Sequence, residues 1–189
     1  MDPVRLALDV GPLHGHRTGV GAAVAAMVDA LAARDDVELL PYVLSFRSRP
    51  EPPTRRLPLP AAAAHELWSR LDHPRLDRWL GRADVVHGTN YVVPPTRRPA
   101  VVSVYDCWFL LHPELAAPAV RRSGAVLRRR VRAGATVHAS SAATADRVRR
   151  RSRAARRGER QRSRRTPPRA WGSPCAARAC RWPGRAGDR

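Results

Sequence analysis

The sequence predicts an α/β domain built on a doubly wound, mostly parallel sheet, and three observations predict it. Short apolar runs alternate with longer stretches at helical spacing from Val4 to about Arg149. The first apolar run leads through a glycine-bearing loop into an Ala-rich segment, the opening half of a βαβ unit. Polar residues of unusual type gather just after the apolar runs, where a parallel sheet presents its ligand-binding loops.

Residues 4–10 read as a buried strand. The loop Arg17-Thr18-Gly19-Val20-Gly21 then opens a helix over 22–31. Gly19 and Gly21 have two readings: they admit a phosphate or sugar hydroxyl to the helix's free N–H groups, or they permit a tight turn and close packing. Residues 37–45 form a second strand, with Pro41 best tolerated near an edge or bulge. The Pro- and Arg-rich stretch 47–60 reads as an exposed loop. Residues 61–80 carry Leu67, Trp68, Leu71, Leu76, Trp79 and Leu80 at helical spacing, with a break near Pro74. A third strand, 84–87, runs into the loop 88–95, and a fourth, 100–105, ends in Asp106 and an aromatic stretch. A basic-faced helix over 119–133, a fifth strand over 136–140 and a helix capped by Ser141 follow.

Composition bounds the partners. The 189 residues include 35 basic ones, all Arg, against 16 acidic ones, for a formal net charge of +19. The chain has no Lys and no Ile, a skew expected of a GC-rich coding sequence, so the choice of Arg over Lys carries little information. Residues 1–150 hold 22 Arg and 14 acids, whereas residues 151–189 hold 13 Arg and 2 acids. That last segment lacks Leu, Val, Ile, Met, Phe and Tyr. It cannot bury enough surface to offset its ordering entropy, so 150–189 is expected to be a disordered tail. Through it the chain could attract nucleic acid non-specifically, the alternative function from the binding class.

Cys107, Cys175 and Cys180 are odd in number and lack framework spacing, which points to a reducing cytoplasm. Cys175 and Cys180 have no neighbouring His to complete a zinc site. No apolar run reaches the roughly 18 residues a spanning helix needs, and Asp2-Pro3 is unlike the start of a secretory signal.

A dinucleotide fingerprint fits poorly, because its third small residue would fall at Val24 and the loop 10–18 is long for a tight turn. A different, ordered set of motifs fits better. Asp9-x-Gly11, Arg17-Thr18-Gly19-Val20-Gly21, His87-Gly88-Thr89-Asn90-Tyr91-x-x-Pro94 and Val102-Ser103-Val104-Tyr105-Asp106-x-x-Phe109-x-x-His112-Pro113-Glu114 follow one another, and then Val137-x-Ala139-Ser140-Ser141-x-x-Thr144-Ala145-Asp146. Over residues 4 to about 149 the chain resembles family 4 glycosyltransferases.

The resemblance implies a GT-B fold, two Rossmann-like domains facing across a cleft, with residues 1–149 as the N-terminal, mainly acceptor-holding domain. It implies retaining transfer of a hexose from a nucleotide sugar to a carbohydrate or lipid-linked acceptor, usually without a metal. No cofactor beyond the nucleotide-sugar substrate is expected, and the chain has no Asp-x-Asp motif. Arg17, Gly19 and Gly21 would sit against the donor diphosphate or acceptor, and His87, Asn90 and Tyr91 would join them as binding residues. The family often has His-Asp at the end of the fourth strand; here Tyr105 precedes Asp106, the pair expected to be catalytic. A phenol can donate to a sugar hydroxyl but carries protons poorly near neutral pH, and a half-buried strand-end role for Tyr105 stays open.

His87 also fits a rim histidine, and His14 and His16 a solvated loop. The basic face of Arg121, Arg122, Arg128, Arg129, Arg130 and Arg132 fits a solvated helix surface or a peripheral contact with the inner face of an anionic membrane. After Arg149 nothing corresponds to the donor-binding domain, so a frameshift or truncation near 149–151 and an isolated chain without activity are expected.

Overall fold

The structure, a computed structural model, describes residues 2–14 and 18–150. Arg17, His16 and the tail from 151 onward, with its expected disorder and nucleic-acid attraction, lie outside the described residues.

Six parallel strands form one sheet in the order β3-β2-β1-β4-β5-β6. They are β1 (Val4–Asp9), β2 (Val37–Leu44), β3 (Arg55–Leu57), β4 (Val85–Gly88), β5 (Ala100–Val104) and β6 (Thr136–Ala139). The chain winds outward from β1 to β3, then returns to lay β4 along the other side of β1 and winds outward again. This is the predicted Rossmann-like architecture, and the reversal puts the ends of β1 and β4 side by side, with Leu8 opposite His87. Helix α1 (Gly19–Ala32) joins β1 to β2, α2 (Ala61–Arg70) joins β3 to β4, and α3 (Trp108–Leu111) with α4 (Pro118–Arg132) joins β5 to β6. A last helix, α5, spans 142–150. As predicted, Ser141 caps it: its Oγ accepts the Thr144 N–H at 3.1 Å.

Period-2 alternation divides the strand residues between two faces. Ala7, Tyr42, Val86, Val102 and Val104 pack with Trp68, Leu76, Leu80, Phe109, Val126 and Leu127 in the main core. Leu8, fully buried, points the other way, and α1 contributes Val24, also fully buried.

Three expectations need correction. The stretch 47–60 is not all loop, because β3 pairs with Tyr42–Leu44 and buries Leu57 to 1% exposure. Helix α2 stops at Arg70, ahead of the break expected near Pro74, and does not resume before 80, since Leu71 is already extended at φ −126° and ψ 156° and turns follow. Residues 71–82 form turns that still drive Leu76 and Leu80 into the core, so helical spacing there reports burial without a helix. Finally, Arg130 leaves the solvated face of α4 and is only 3% exposed.

Candidate functional site

The carboxyl ends of β1, β4 and β5 meet where the strand order reverses, the place at which open parallel sheets bind ligands. Local sequence builds this edge. A side chain at Gly88 would run into the Val92 carbonyl, so only glycine lets the loop after β4 fold back on itself. Thr89, fully buried, donates its hydroxyl to the Asp9 carbonyl at 2.7 Å and ties that loop to the end of β1. Tyr91 takes a left-handed φ of 59°, and its N–H donates to the Ser103 carbonyl at 3.1 Å, tying the same loop to β5.

On one side of this junction opens a cleft of about 360 Å³ lined by Asp9, His14, Tyr42, His65, Trp68 and Asn90, among others. The Asp9 Oδ1 accepts the Gly11 N–H at 2.9 Å. Burial outweighs that bond and raises the Asp9 carboxyl to a pKa of about 6. Burial also lowers the His65 pKa, with Arg122 adding to the effect, and it raises that of Tyr42, helped by the charge of Asp9. The Tyr42 hydroxyl donates to the His87 carbonyl at 3.4 Å. The result is an apolar-walled cleft whose polar groups accept and donate hydrogen bonds near neutral pH, suited to a hydroxyl-rich small molecule.

On the other side, Asp106 gathers two donors. Its Oδ2 accepts the Tyr91 hydroxyl at 2.6 Å, and its Oδ1 accepts the Trp108 N–H at 2.9 Å. Burial, then the bond to Asp106, pushes the Tyr91 phenol well above its ordinary pKa. The Tyr91 ring lies edge-on to Phe109 at 4.9 Å and to Tyr105 at 6.0 Å. The Tyr105 carbonyl accepts the Ser140 hydroxyl at 2.8 Å and the Thr144 hydroxyl at 3.3 Å, so its backbone is pinned to the end of β6.

The Tyr105 hydroxyl is enclosed and makes no hydrogen bond. Ser103 lies near enough to influence it, but the Ser103 hydroxyl bridges His87 Nε2 at 2.8 Å and His138 Nδ1 at 3.0 Å. Ser103 has one proton and two lone pairs, so it donates to at most one of the two imidazoles and accepts from at least one. Burial, reinforced by His138, lowers the His87 pKa to about 4, which keeps that ring neutral at pH 7.

The structure therefore sorts the expected site residues into groups. Asn90 lines the cleft beside Asp9. Tyr91 and Asp106 are bonded to each other, with Tyr105 in ring contact. His87 is 8% exposed, with its ring turned into the Ser103 bridge. Thr18 caps α1 by accepting the Gly21 N–H at 3.4 Å. The two glycines behind that cap differ. A Cβ on Gly21 would lie 2.8 Å from the Pro12 carbonyl oxygen, whereas one on Gly19 would meet open space. Gly21 thus serves close packing, while at Gly19 no described residue crowds the position. Arg17 lies outside the described residues.

Sequence reasoning placed Asp9 and Ser103 in motifs without making them site residues, and it missed Tyr42, His65 and His138. The usable signal was a carboxylate ending an apolar run; the other four sit in runs whose pattern reports only burial. Among the described residues no three His, Cys, Asp or Glu side chains group as a metal site, and no helix is long and apolar enough to cross a membrane. Compared with protein-family models, curated proteins and solved structures, the chain gives no match in any of the three.

Proposed function

We propose that the described domain is the acceptor-side half of a retaining, metal-independent hexosyltransferase that draws its sugar from a nucleotide-sugar donor. One observation carries the reading: the motif-bearing loops after β1, β4 and β5, far apart in sequence, are hydrogen-bonded into a single edge by Thr89 and Tyr91. A polyhydroxylated acceptor needs closely spaced acceptors and donors on apolar walls, and Asp9 and Asn90 beside Trp68 supply that chemistry. On this reading the first turn of α1 at Gly19 would offer N–H groups to a donor phosphate. On this reading transfer needs a second, donor-holding domain facing the cleft, with a carbohydrate or lipid-linked acceptor between them.

Calorimetric titration of the full chain with a panel of methyl hexopyranosides tests the proposal. Binding is expected for at least one hexoside, and Asn90→Ala and Asp9→Ala should each weaken it about tenfold, the loss of one good hydrogen bond. If no hexoside binds, or if both variants titrate like the parent, the acceptor reading fails.

A further inference from the structure

A second cavity, of about 350 Å³, adjoins the cleft that holds Asp9 and Asn90; Leu44, Ser45, Phe46, Arg47, Pro60 and Ala61 line it. Leu44, Ser45 and Ala61 also line the cleft, so the two spaces share three walls where β2 ends and α2 begins. Their chemistry differs. Four of the six residues around the second cavity are apolar, and its polar atoms are largely engaged. The Ser45 Oγ accepts the Ser48 N–H at 2.9 Å and the Arg47 N–H at 3.3 Å, and the Phe46 carbonyl accepts the Arg56 guanidinium at 3.3 Å. The Phe46 side chain is 63% exposed. A second sugar unit in this space would give up water and leave hydroxyls short of partners. An apolar group loses no hydrogen bond there and covers the Phe46 ring.

We propose that the second cavity is the aglycone subsite of the acceptor cleft, so that the acceptor is a hexoside carrying a compact apolar aglycone and Phe46 is the residue that selects for it. The inference rests on the acceptor reading of the Asp9 cleft and narrows it from carbohydrate and lipid-linked acceptors in general. Asp9 and Asn90 hold the hexose, and Leu44 and Ala61, common to both spaces, line the passage between them. Phe46 receives an aromatic aglycone edge-on or offset-stacked, and an alkyl group by simple contact.

The test is a calorimetric titration of the full chain with matched methyl and phenyl glycosides of glucose, galactose and mannose. A disaccharide of each hexose serves as the polar aglycone of similar reach. For the hexose that binds, the phenyl glycoside should bind about tenfold tighter than the methyl one, and the disaccharide no tighter. In Phe46→Ala the phenyl advantage should fall to about twofold or less, with methyl glycoside affinity kept at the parent value, and Phe46→Leu should lie in between. Asn90→Ala should weaken both glycosides by the same factor, because the hexose sits alike in each. A phenyl glycoside no tighter than the methyl one, an advantage that survives Phe46→Ala, or an equal gain from the disaccharide overturns this inference and leaves the cleft reading standing. Failure of every glycoside to bind overturns both.

Discussion

Asp9 ends β1 with its carboxyl partly enclosed, and a folded-state pKa of about 6 means that folding favours the protonated form. Between about pH 4 and 6 the native state holds this proton and the unfolded state does not, so Asp9 lowers stability as pH rises through that window. His87 works the other way. The unfolded chain takes up its proton near pH 6.5, the buried ring resists until about pH 4, and stability is lost as pH falls. The two contributions oppose one another between pH 4 and 6. Asp9→Asn should therefore raise stability at pH 7 by about 1–2 kcal/mol, leave it nearly unchanged at pH 4, and make acidification more damaging than in the parent. His87→Asn should reverse that slope. Urea unfolding across the pH range measures both, and parent-like slopes in both variants would contradict the geometry.

The glycines of the first loop give a second residue-scale prediction. Gly21→Ala should cost about 1–3 kcal/mol, because its Cβ meets the Pro12 carbonyl. Gly19→Ala, on the open side of the helix, should be neutral or gain up to about 1 kcal/mol, and thermal unfolding separates them. The two residues looked alike in the sequence. What distinguishes them is the 3-10 turn at Gly11–Leu13, which brings the Pro12 carbonyl under one glycine and away from the other, and no local pattern encodes that approach.

At the scale of elements, α2 and α4 run side by side, held by Trp68, Val126 and Leu127 in the core and by Arg130 on Asp72. Arg130 occupies the buried stripe of α4 with Gly124, Val126 and Leu127, while Arg121, Arg128 and Arg132 face outward. Removing Arg130 empties a buried position and leaves Asp72, which keeps some solvent contact and the more distant Arg75, without its closest partner, so Arg130→Ala should cost about 1–3 kcal/mol. Arg121→Ala, on the exposed face, should change stability by no more than about 0.5 kcal/mol, and guanidinium unfolding of both variants checks the contrast. The helix itself was legible from spacing and its buried arginine was not, because residue type argued for solvent where position argued for the core. Strand β3 was hidden for a related reason: three residues, two of them exposed arginines, cannot display a period. The stretch 71–82 misled in the opposite sense, since Leu76 and Leu80 are buried at helical spacing by turns.

At the scale of the whole molecule, alternating apolar and helical segments were enough to anticipate a parallel doubly wound sheet, because each strand buried on both faces leaves a continuous apolar run. The order of the strands was not readable, yet it decides the site: only the return of the chain to lay β4 against β1 brings Thr89 onto Asp9 and Asn90 into the cleft. The Ser103 bridge between His87 and His138 likewise depends on register across three strands. Chemical-shift mapping of the full, isotope-labelled chain during titration with a binding methyl hexopyranoside tests the central claim most directly. One saturable set of shifts is expected at Asp9, Tyr42, His65, Trp68 and Asn90. Saturable shifts centred elsewhere in the domain, with those five residues still, would contradict that claim.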